Sequence, residues 1–145
     1  MMVAEVREIL VGETAVAAAA LLELRSHHGS VEALTARIDA QRADGYRVVA
    51  SLEDGEAAAV AGFRIAENLA WGRFLYVDDL VTRAALRGRG HADAVMAWVE
   101  AEAVRAGCDE LHLDSGVGPE REDAHRFYFR HAMRITSYHF AKGVR

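Results

Sequence analysis

The fold of this chain is decided by the stretch Leu80-Val81-Thr82-Arg83-Ala84-Ala85-Leu86-Arg87-Gly88-Arg89-Gly90-His91-Ala92. Its first three residues end a predicted strand, and its last residues begin a predicted helix. This geometry aims several free backbone N–H groups and the positive end of the helix at one point. Gly88 and Gly90 allow close approach to the backbone, and Ala92 keeps the first helical turn small. With Arg87 and Arg89 adding positive charge, the turn suits a pyrophosphate.

Two other phosphate-binding motifs do not fit this turn. The dinucleotide fingerprint needs a third small residue where Asp93 stands, and it usually opens a fold instead of lying in mid-chain. The P-loop needs a lysine, and Lys142 is the only lysine in the chain. The same count excludes enzymes that form a Schiff base on an interior lysine. Taken alone, the motif is equally consistent with an ordinary tight turn.

Composition predicts one folded domain over residues 1–145. Apolar residues make up 52% and charged residues 27%, as in soluble globular proteins. The net charge of -5 argues against nucleic acid as the partner and favours a small or cationic molecule. The longest apolar stretch, 14–24, is too short for a bilayer of roughly 30 Å. With no signal peptide read and Cys108 unable to form an internal disulfide, we expect a cytoplasmic protein.

The elements around the turn follow from hydrophobic periodicity and turn residues. Strands are predicted over 3–11, 46–52, 57–65, 74–81, 110–114 and 135–144, and helices over 14–27, 31–43, 89–106 and 123–131. Thr14 and Ser30 are expected to cap the first two helices, and Glu53-Asp54-Gly55-Glu56 to form a hairpin turn. The predicted order β-α-α-β-β-β-α-β-α-β describes a mixed α/β domain.

Two motifs at this separation resemble those of the GNAT family of N-acetyltransferases. Arg87-x-x-Gly90-x-Ala92, after a Leu-Val-Thr strand, is similar to the family's coenzyme A motif. Ala124-x-x-Phe127-Tyr128 is similar to the motif on its later helix. The resemblance covers nearly the whole chain and implies a central mixed, mostly antiparallel sheet flanked by helices. It also implies acetyl-CoA as co-substrate, with no metal.

The resemblance assigns expected roles to individual residues. The backbone of Leu80, Val81 and Thr82 would contact the thioester carbonyl and the pantetheine arm, and the turn from Arg87 through Gly88, Arg89, Gly90 and His91 to Ala92 would hold the pyrophosphate. Tyr128 would protonate the departing thiolate. Arg121-Glu122 replaces a frequent asparagine of the family, which makes Arg121 a candidate for holding the far end of the cofactor. No covalent enzyme intermediate is needed.

Asp78 and Asp79 are the candidate acceptor-side residues. Because they are adjacent on a predicted strand, we expect them on opposite faces of the sheet, with Asp79 sharing a face with Val77 and Val81. One or both would attract or deprotonate a small cationic amine; the alternative is a solvated pair at a strand end. The tract from Leu75 to Asp79 resembles the acidic strand of diamine acetyltransferases, which favours an amine acceptor.

Three functions stay open at this point. The first is acetylation of a small amine by direct attack in a ternary complex, the second is acetylation of a protein or peptide, and the third is non-catalytic binding of an acyl-CoA. The histidines His27, His28, His112, His125, His131 and His139 show no metal-binding spacing and are expected to be structural or surface residues. Trp71 and Trp98 are expected in the core or at an interface, which leaves a homodimer open.

Overall fold

The structure, a computed structural model, describes residues 5–145. Its strands are β1 (Glu5–Ile9), β2 (Arg47–Glu53), β3 (Glu56–Asn68), β4 (Gly72–Thr82) and β5 (Glu110–Leu113). Its helices are α1 (Ala15–Leu24), α2 (Val31–Arg42), α3 (His91–Arg105) and α4 (Glu122–Arg130), with short 3₁₀ segments at Ser26–His28, Ala84–Leu86 and Pro119–Arg121. Residues 3 and 4 of the predicted first strand lie outside the described residues.

One sheet organises these elements, with the strands in the order β1-β2-β3-β4-β5. The pairs β1–β2, β2–β3 and β3–β4 are antiparallel. The turn between β2 and β3 has φ of 52° at Asp54 and 77° at Gly55, which are the positive values that a tight two-residue hairpin needs. The predicted mixed α/β fold, with a mostly antiparallel sheet flanked by helices, is confirmed.

Strand β2 shows how the sheet separates two layers of helices. Successive strand side chains point to opposite faces. Val48 and Ala50 are fully buried in the cluster that the sheet forms with α1 and α2. Arg47 and Ser51 point the other way, where their partners are Glu102 and His91 of α3. Both faces of β2 are therefore covered. This explains why its residues are buried in succession and not alternately, as they would be if one face were exposed to solvent.

The start of α2 is confirmed and that of α1 differs from the prediction. The Ser30 hydroxyl accepts a hydrogen bond from Ala33 N at 3.1 Å, as expected of a helix cap. Thr14 makes no such cap. Its hydroxyl instead donates to Asp39 Oδ1 at 2.5 Å and accepts from Arg42 at 3.0 Å, so it ties α1 to α2. Thr14 therefore contacts a residue 25 positions further along the chain, and the expected local cap is not formed.

A β-bulge interrupts β4 at the acidic pair. Gly62 of β3 pairs with Asp79, whereas the next residue, Phe63, pairs with Val77. Asp78 is therefore the extra residue of the bulge, and the alternation of side chains stops there. The expectation that Asp78 and Asp79 face opposite sides is wrong, because both line one cavity.

Gly62 makes room for a tyrosine that reaches across the sheet. A Cβ built at Gly62 would lie 1.7 Å from the hydroxyl of the buried Tyr46, so no side chain fits between them. We expect Gly62→Ala to displace Tyr46 and to lower the free energy of unfolding by about 1–3 kcal/mol, the usual cost of overpacking a core. Urea unfolding measures the change. Gly143→Ala, where nothing lies within 4 Å, is the control, and equal stability of the two variants would contradict the prediction.

The chain divides into two compact units, residues 1–112 and 113–145. The second unit contains α4 and, contrary to the prediction, no strand over 135–144. Ile135, Tyr138 and Phe140 follow a strand-like pattern, but they are 77%, 88% and 91% exposed. A strand needs a neighbour that satisfies its backbone groups, and these residues join no ladder. No helix within residues 5–145 is both long enough and apolar enough to span a bilayer.

Candidate functional site

The predicted phosphate turn has a backbone conformation that favours glycine at two positions. Gly88 and Gly90 have φ of 77° and 83°, values that other residues rarely adopt. Gly90 is the N-cap residue of α3, and it has no side chain that could hydrogen-bond to the start of the helix. Nothing lies within 4 Å of a Cβ built at either glycine, so the surface in front of the turn is open. The turn therefore has both the space and the helix dipole that a pyrophosphate needs.

A buried polar network holds this turn from behind. His91, the first residue of α3, is 3% exposed, so its side chain points away from the open surface. Its Nδ1 lies 2.7 Å from Ser51 Oγ and its Nε2 lies 2.6 Å from Glu53 Oε2. Glu53 also forms an ion pair with Arg89. The hydrogen bond to His91 is the main cause that lowers the pKa of Glu53 below 4.5.

Sequence reasoning missed this network, although it had selected His91 and Arg89. Both were expected to face the cofactor, and Arg89 is instead held by Glu53. The available signal was a histidine at the start of a predicted helix. Its partners lie 38 and 40 residues earlier in the sequence, beyond the reach of any local pattern.

We expect Glu53→Gln to lower the melting temperature at neutral pH, because the amide loses the ion pair with Arg89 and part of the bond to His91. A carboxylate with a lowered pKa stabilises the fold above its unfolded pKa, and that stabilisation is lost as the pH falls through the folded pKa. The difference from the wild type should therefore shrink below pH 4.5. Thermal unfolding of both proteins at neutral pH and below pH 4.5 tests this prediction.

The matched control for that prediction is Glu110→Gln. Glu110 also contacts a histidine, with its Oε1 2.6 Å from His112 Nε2, but its side chain is 48% exposed. Exposed pairs contribute little to stability. Should the two variants lose the same stability, or should the Glu53→Gln loss be independent of pH, the network does not support the turn.

The segment between β4 and the turn is anchored by two glutamates. The Arg83 guanidinium pairs with Glu23 at 3.0 Å and also with Glu56. Glu23 accepts from Ala84 N at 2.9 Å, and this backbone hydrogen bond is the main cause that lowers its pKa. Arg87 is exposed and makes no hydrogen bond or ion pair with residues 5–145, so its guanidinium is available to a ligand.

The end of β4 offers backbone groups on one edge. Leu80, Val81 and Thr82 pair with β3 on one side. On the other side β5 begins where Asp109 N donates to Arg73 O at 2.7 Å. β5 has four residues, which extend about 13 Å from that point. β5 is therefore too short to reach Leu80, seven residues beyond Arg73.

A cavity of about 360 Å³ lies beside β4, on the α1 and α2 side of the sheet. Asp78 and Asp79 form part of its wall, together with Tyr46 and residues of α1 and α2. Asp79 accepts from Arg25 Nε at 2.8 Å and from the Tyr46 hydroxyl at 2.7 Å. Burial raises the pKa of Tyr46 well above its usual 10, and Asp79 adds to the effect. Tyr46 therefore stays protonated and donates to Asp79.

Asp78 is paired as well. Its Oδ2 accepts from Arg64 Nε at 2.7 Å, and its backbone carbonyl accepts from Arg25 at 3.2 Å. Arg64 also donates to Gln41 of α2 at 2.5 Å. The acidic pair was expected either to draw in an amine or to be solvated. In the structure, each carboxylate of the pair already has an arginine partner, Arg64 for Asp78 and Arg25 for Asp79. The pair is therefore neither unpaired nor simply solvated.

The second unit holds the other predicted catalytic side chain. Tyr128 lies on α4, and burial raises the pKa of its phenol above the usual 10. The positive charge of Arg121, which directly precedes α4, opposes part of that shift. A phenol that keeps its proton over a wide pH range is a suitable proton donor. The expectation that Arg121 holds the far end of the cofactor stays a prediction.

The remaining candidates from the sequence carry no chemistry of their own here. Cys108 is half-buried, and burial raises the pKa of its thiol, which disfavours the nucleophilic thiolate. His125 Nε2 lies 2.7 Å from Gly116 O, and Trp71 stacks on His112 with ring centroids 3.6 Å apart. Over residues 5–145, no three His, Cys, Asp or Glu side chains are grouped to hold a metal ion.

The sequence profile of the Acetyltransferase (GNAT) family matches residues 10–133. The chain is 32% identical over 102 residues to a Bacillus subtilis (strain 168) protein named Uncharacterized N-acetyltransferase YhdJ, and the match covers 70% of each. It is 27% identical over 95 residues to the Aminoalkylphosphonate N-acetyltransferase of Salmonella typhimurium, covering 65% of this chain and 60% of that protein. The solved structure of aminoglycoside N-acetyltransferase AAC(6')-Iy in complex with CoA shares the fold, with a TM-score of 0.85 at 17% identity over 100% of this chain and 97% of that one.

Proposed function

The chain belongs to the acetyltransferase (GNAT) family, and from this premise we propose that it transfers an acetyl group from acetyl-CoA to a small cationic primary amine. The observation that carries the proposal is the cavity beside β4. Its wall includes Asp78 and Asp79, and the next residue, Leu80, begins the backbone segment assigned to the thioester. A cavity of about 360 Å³ has the size of a small-molecule site. The relatives named as amine acetyltransferases support the same reaction.

The turn before α3 suits the pyrophosphate of the co-substrate. Gly88 and Gly90 leave the start of α3 uncovered, and Arg87 makes no hydrogen bond or ion pair with the described residues. Backbone N–H groups at a helix start and a guanidinium both bind phosphate oxygens. Because Arg89 and His91 are held by Glu53, their proposed role is to shape the turn.

The proposed reaction needs no covalent enzyme intermediate. The neutral amine nitrogen attacks the thioester carbon, and the carbonyl oxygen becomes an oxyanion that the Leu80 N–H stabilises. The amine proton leaves to water or to a carboxylate of the acidic pair. The carbon–sulfur bond then breaks, and Tyr128 gives its proton to the leaving thiolate. The products are the acetylated amine and CoA.

A thiol-release assay over an amine panel tests the proposed function. The panel contains polyamines, lysine analogues, aminoglycosides, aminoalkylphosphonates and a lysine-containing peptide. We expect turnover with at least one small amine and a rate that rises with pH until the bound amine is neutral. Turnover with the peptide alone would identify a protein acetyltransferase. Tight CoA binding without any turnover would identify a non-catalytic acyl-CoA-binding protein.

We expect Asp79→Asn to raise KM for the best amine about 10- to 100-fold, because a hydrogen bond to a charged group contributes about 1.5–3 kcal/mol. Steady-state kinetics measure the effect. Asp54→Asn is the control, since it removes the same charge at a hairpin position where asparagine is tolerated. An unchanged KM in Asp79→Asn and in Asp78→Asn would exclude the acidic pair from amine binding.

A further inference from the structure

The wall of the acceptor cavity is not as negative as its two aspartates suggest. Asp79 is paired with Arg25 at 2.8 Å, and Asp78 is paired with Arg64 at 2.7 Å. Each carboxylate is therefore neutralised before a ligand arrives. Each retains oxygen lone pairs for an ammonium group, because a carboxylate accepts about four hydrogen bonds. The site can orient a cationic group, but it has no excess negative charge to hold a second one.

A further guanidinium lines the same cavity. Arg37 lies on α2, one residue before Ile38, which is buried in the cavity wall. Arg37 is exposed, and it makes no hydrogen bond or ion pair with the residues from 5 to 145. Among the charged residues of this wall, its charge is the one left without a partner.

Two histidines also line the cavity. His27 and His28 lie in the 3₁₀ segment after α1, with ring centroids 4.3 Å apart. A neutral imidazole offers one N–H donor and a protonated one offers two. Together with Arg37 they give the cavity wall donors that suit anionic oxygens.

We propose that the acceptor is a zwitterionic amine, whose ammonium group binds at Asp78 and Asp79 and whose carboxylate, phosphate or phosphonate group binds at Arg37. This inference rests on the proposed function and specifies its substrate class. A molecule with both charges matches the paired acidic side and the unpaired basic side of one small cavity. A diamine would place its second ammonium against Arg37, and juxtaposed like charges are unfavourable.

Kinetics with matched amines test the inference. The probes are 2-aminoethylphosphonate and β-alanine with anionic tails, ethanolamine with a neutral tail and 1,3-diaminopropane with a cationic tail. We expect kcat/KM for the better anionic probe to exceed that of ethanolamine about 10- to 100-fold, because a charge-assisted hydrogen bond contributes about 1.5–3 kcal/mol. The diamine should be the poorest substrate of the set.

Variants of Arg37 attribute the preference to this side chain. Arg37→Glu should remove the advantage of the anionic probes and improve the diamine, whereas Arg37→Lys should keep most of the advantage because it retains the charge. Since Arg37 is exposed, neither change should unfold the protein. Arg145→Glu is the control for net charge, at another exposed arginine. An advantage that survives Arg37→Glu, or that Arg145→Glu removes equally, would overturn the inference.

The two proposals fail in different ways. Equal turnover of all four probes would overturn the zwitterion inference and leave amine acetylation intact. If no probe is acetylated, calorimetry with CoA present still ranks their binding. Tail-dependent binding that Arg37→Glu abolishes would then support the inference while the proposed function fails, and tail-independent binding would overturn both.

Discussion

Tyr128→Phe is expected to lower kcat by about 10²–10⁴-fold, which is the usual contribution of general acid catalysis. The phenol is held in its protonated form by burial, which raises its pKa above the usual 10. Phenylalanine keeps the ring of Tyr128 and removes only the hydroxyl group, which carries the proton that the leaving thiolate needs. The affinity for CoA should therefore stay nearly unchanged. Single-turnover thiol release and calorimetry with CoA separate the two effects.

Tyr138→Phe is the matched control, because Tyr138 is 88% exposed and loses the same hydroxyl. It should keep wild-type kcat. Full activity in Tyr128→Phe would mean that water or another group protonates the thiolate. A loss of CoA affinity as large as the loss of kcat would assign Tyr128 to binding instead of proton transfer.

The second large effect is expected at the turn before α3. Gly90→Val should weaken CoA binding about 10- to 100-fold, because one hydrogen bond to a charged phosphate contributes about 1.5–3 kcal/mol. Gly90 has φ of 83°, which a β-branched residue adopts only with strain, and its side chain would occupy the open space before the helix start. Calorimetry with CoA measures the affinity, and circular dichroism verifies the fold.

Gly107→Val separates strain from obstruction. Gly107 follows the other end of α3, has φ of 75° and has nothing within 4 Å of a built Cβ. Gly107→Val should lower the stability of the fold by about as much as Gly90→Val and leave the affinity for CoA intact. If both variants weaken CoA binding equally, or if a folded Gly90→Val binds CoA normally, the turn is not the pyrophosphate site. Gly90→Ala, with a smaller side chain, serves the same comparison should the valine variant fail to fold.

Local sequence signals predicted the local structure well. The Ser30 cap and the Asp54-Gly55 hairpin were each readable from a few neighbouring residues. These features depend on backbone preferences and on hydrogen bonds within one turn of chain. The motif containing Gly90 also identified the family, which the profile match confirms.

Predictions failed where a distant residue determined the outcome. Thr14 contacts Asp39 instead of capping α1, and the extra residue in β4 follows from pairing with β3. The strand predicted over 135–144 had the right periodicity but lacks a partner ladder. Periodicity specifies which side chains share a face, but it does not specify which strand or side chain lies opposite.

For this protein, the sequence by itself determined the family, the glycine turn before α3 and the acidic pair of β4. Only the tertiary structure decided how these residues are used. It paired Asp79 with Arg25 and Tyr46, buried His91 against Glu53, and placed Arg37 on the cavity wall with no hydrogen bond or ion pair to the part of the chain that the structure describes. The reason is that charge and hydrogen bonding act through space, between groups that lie 33 to 54 residues apart in the chain.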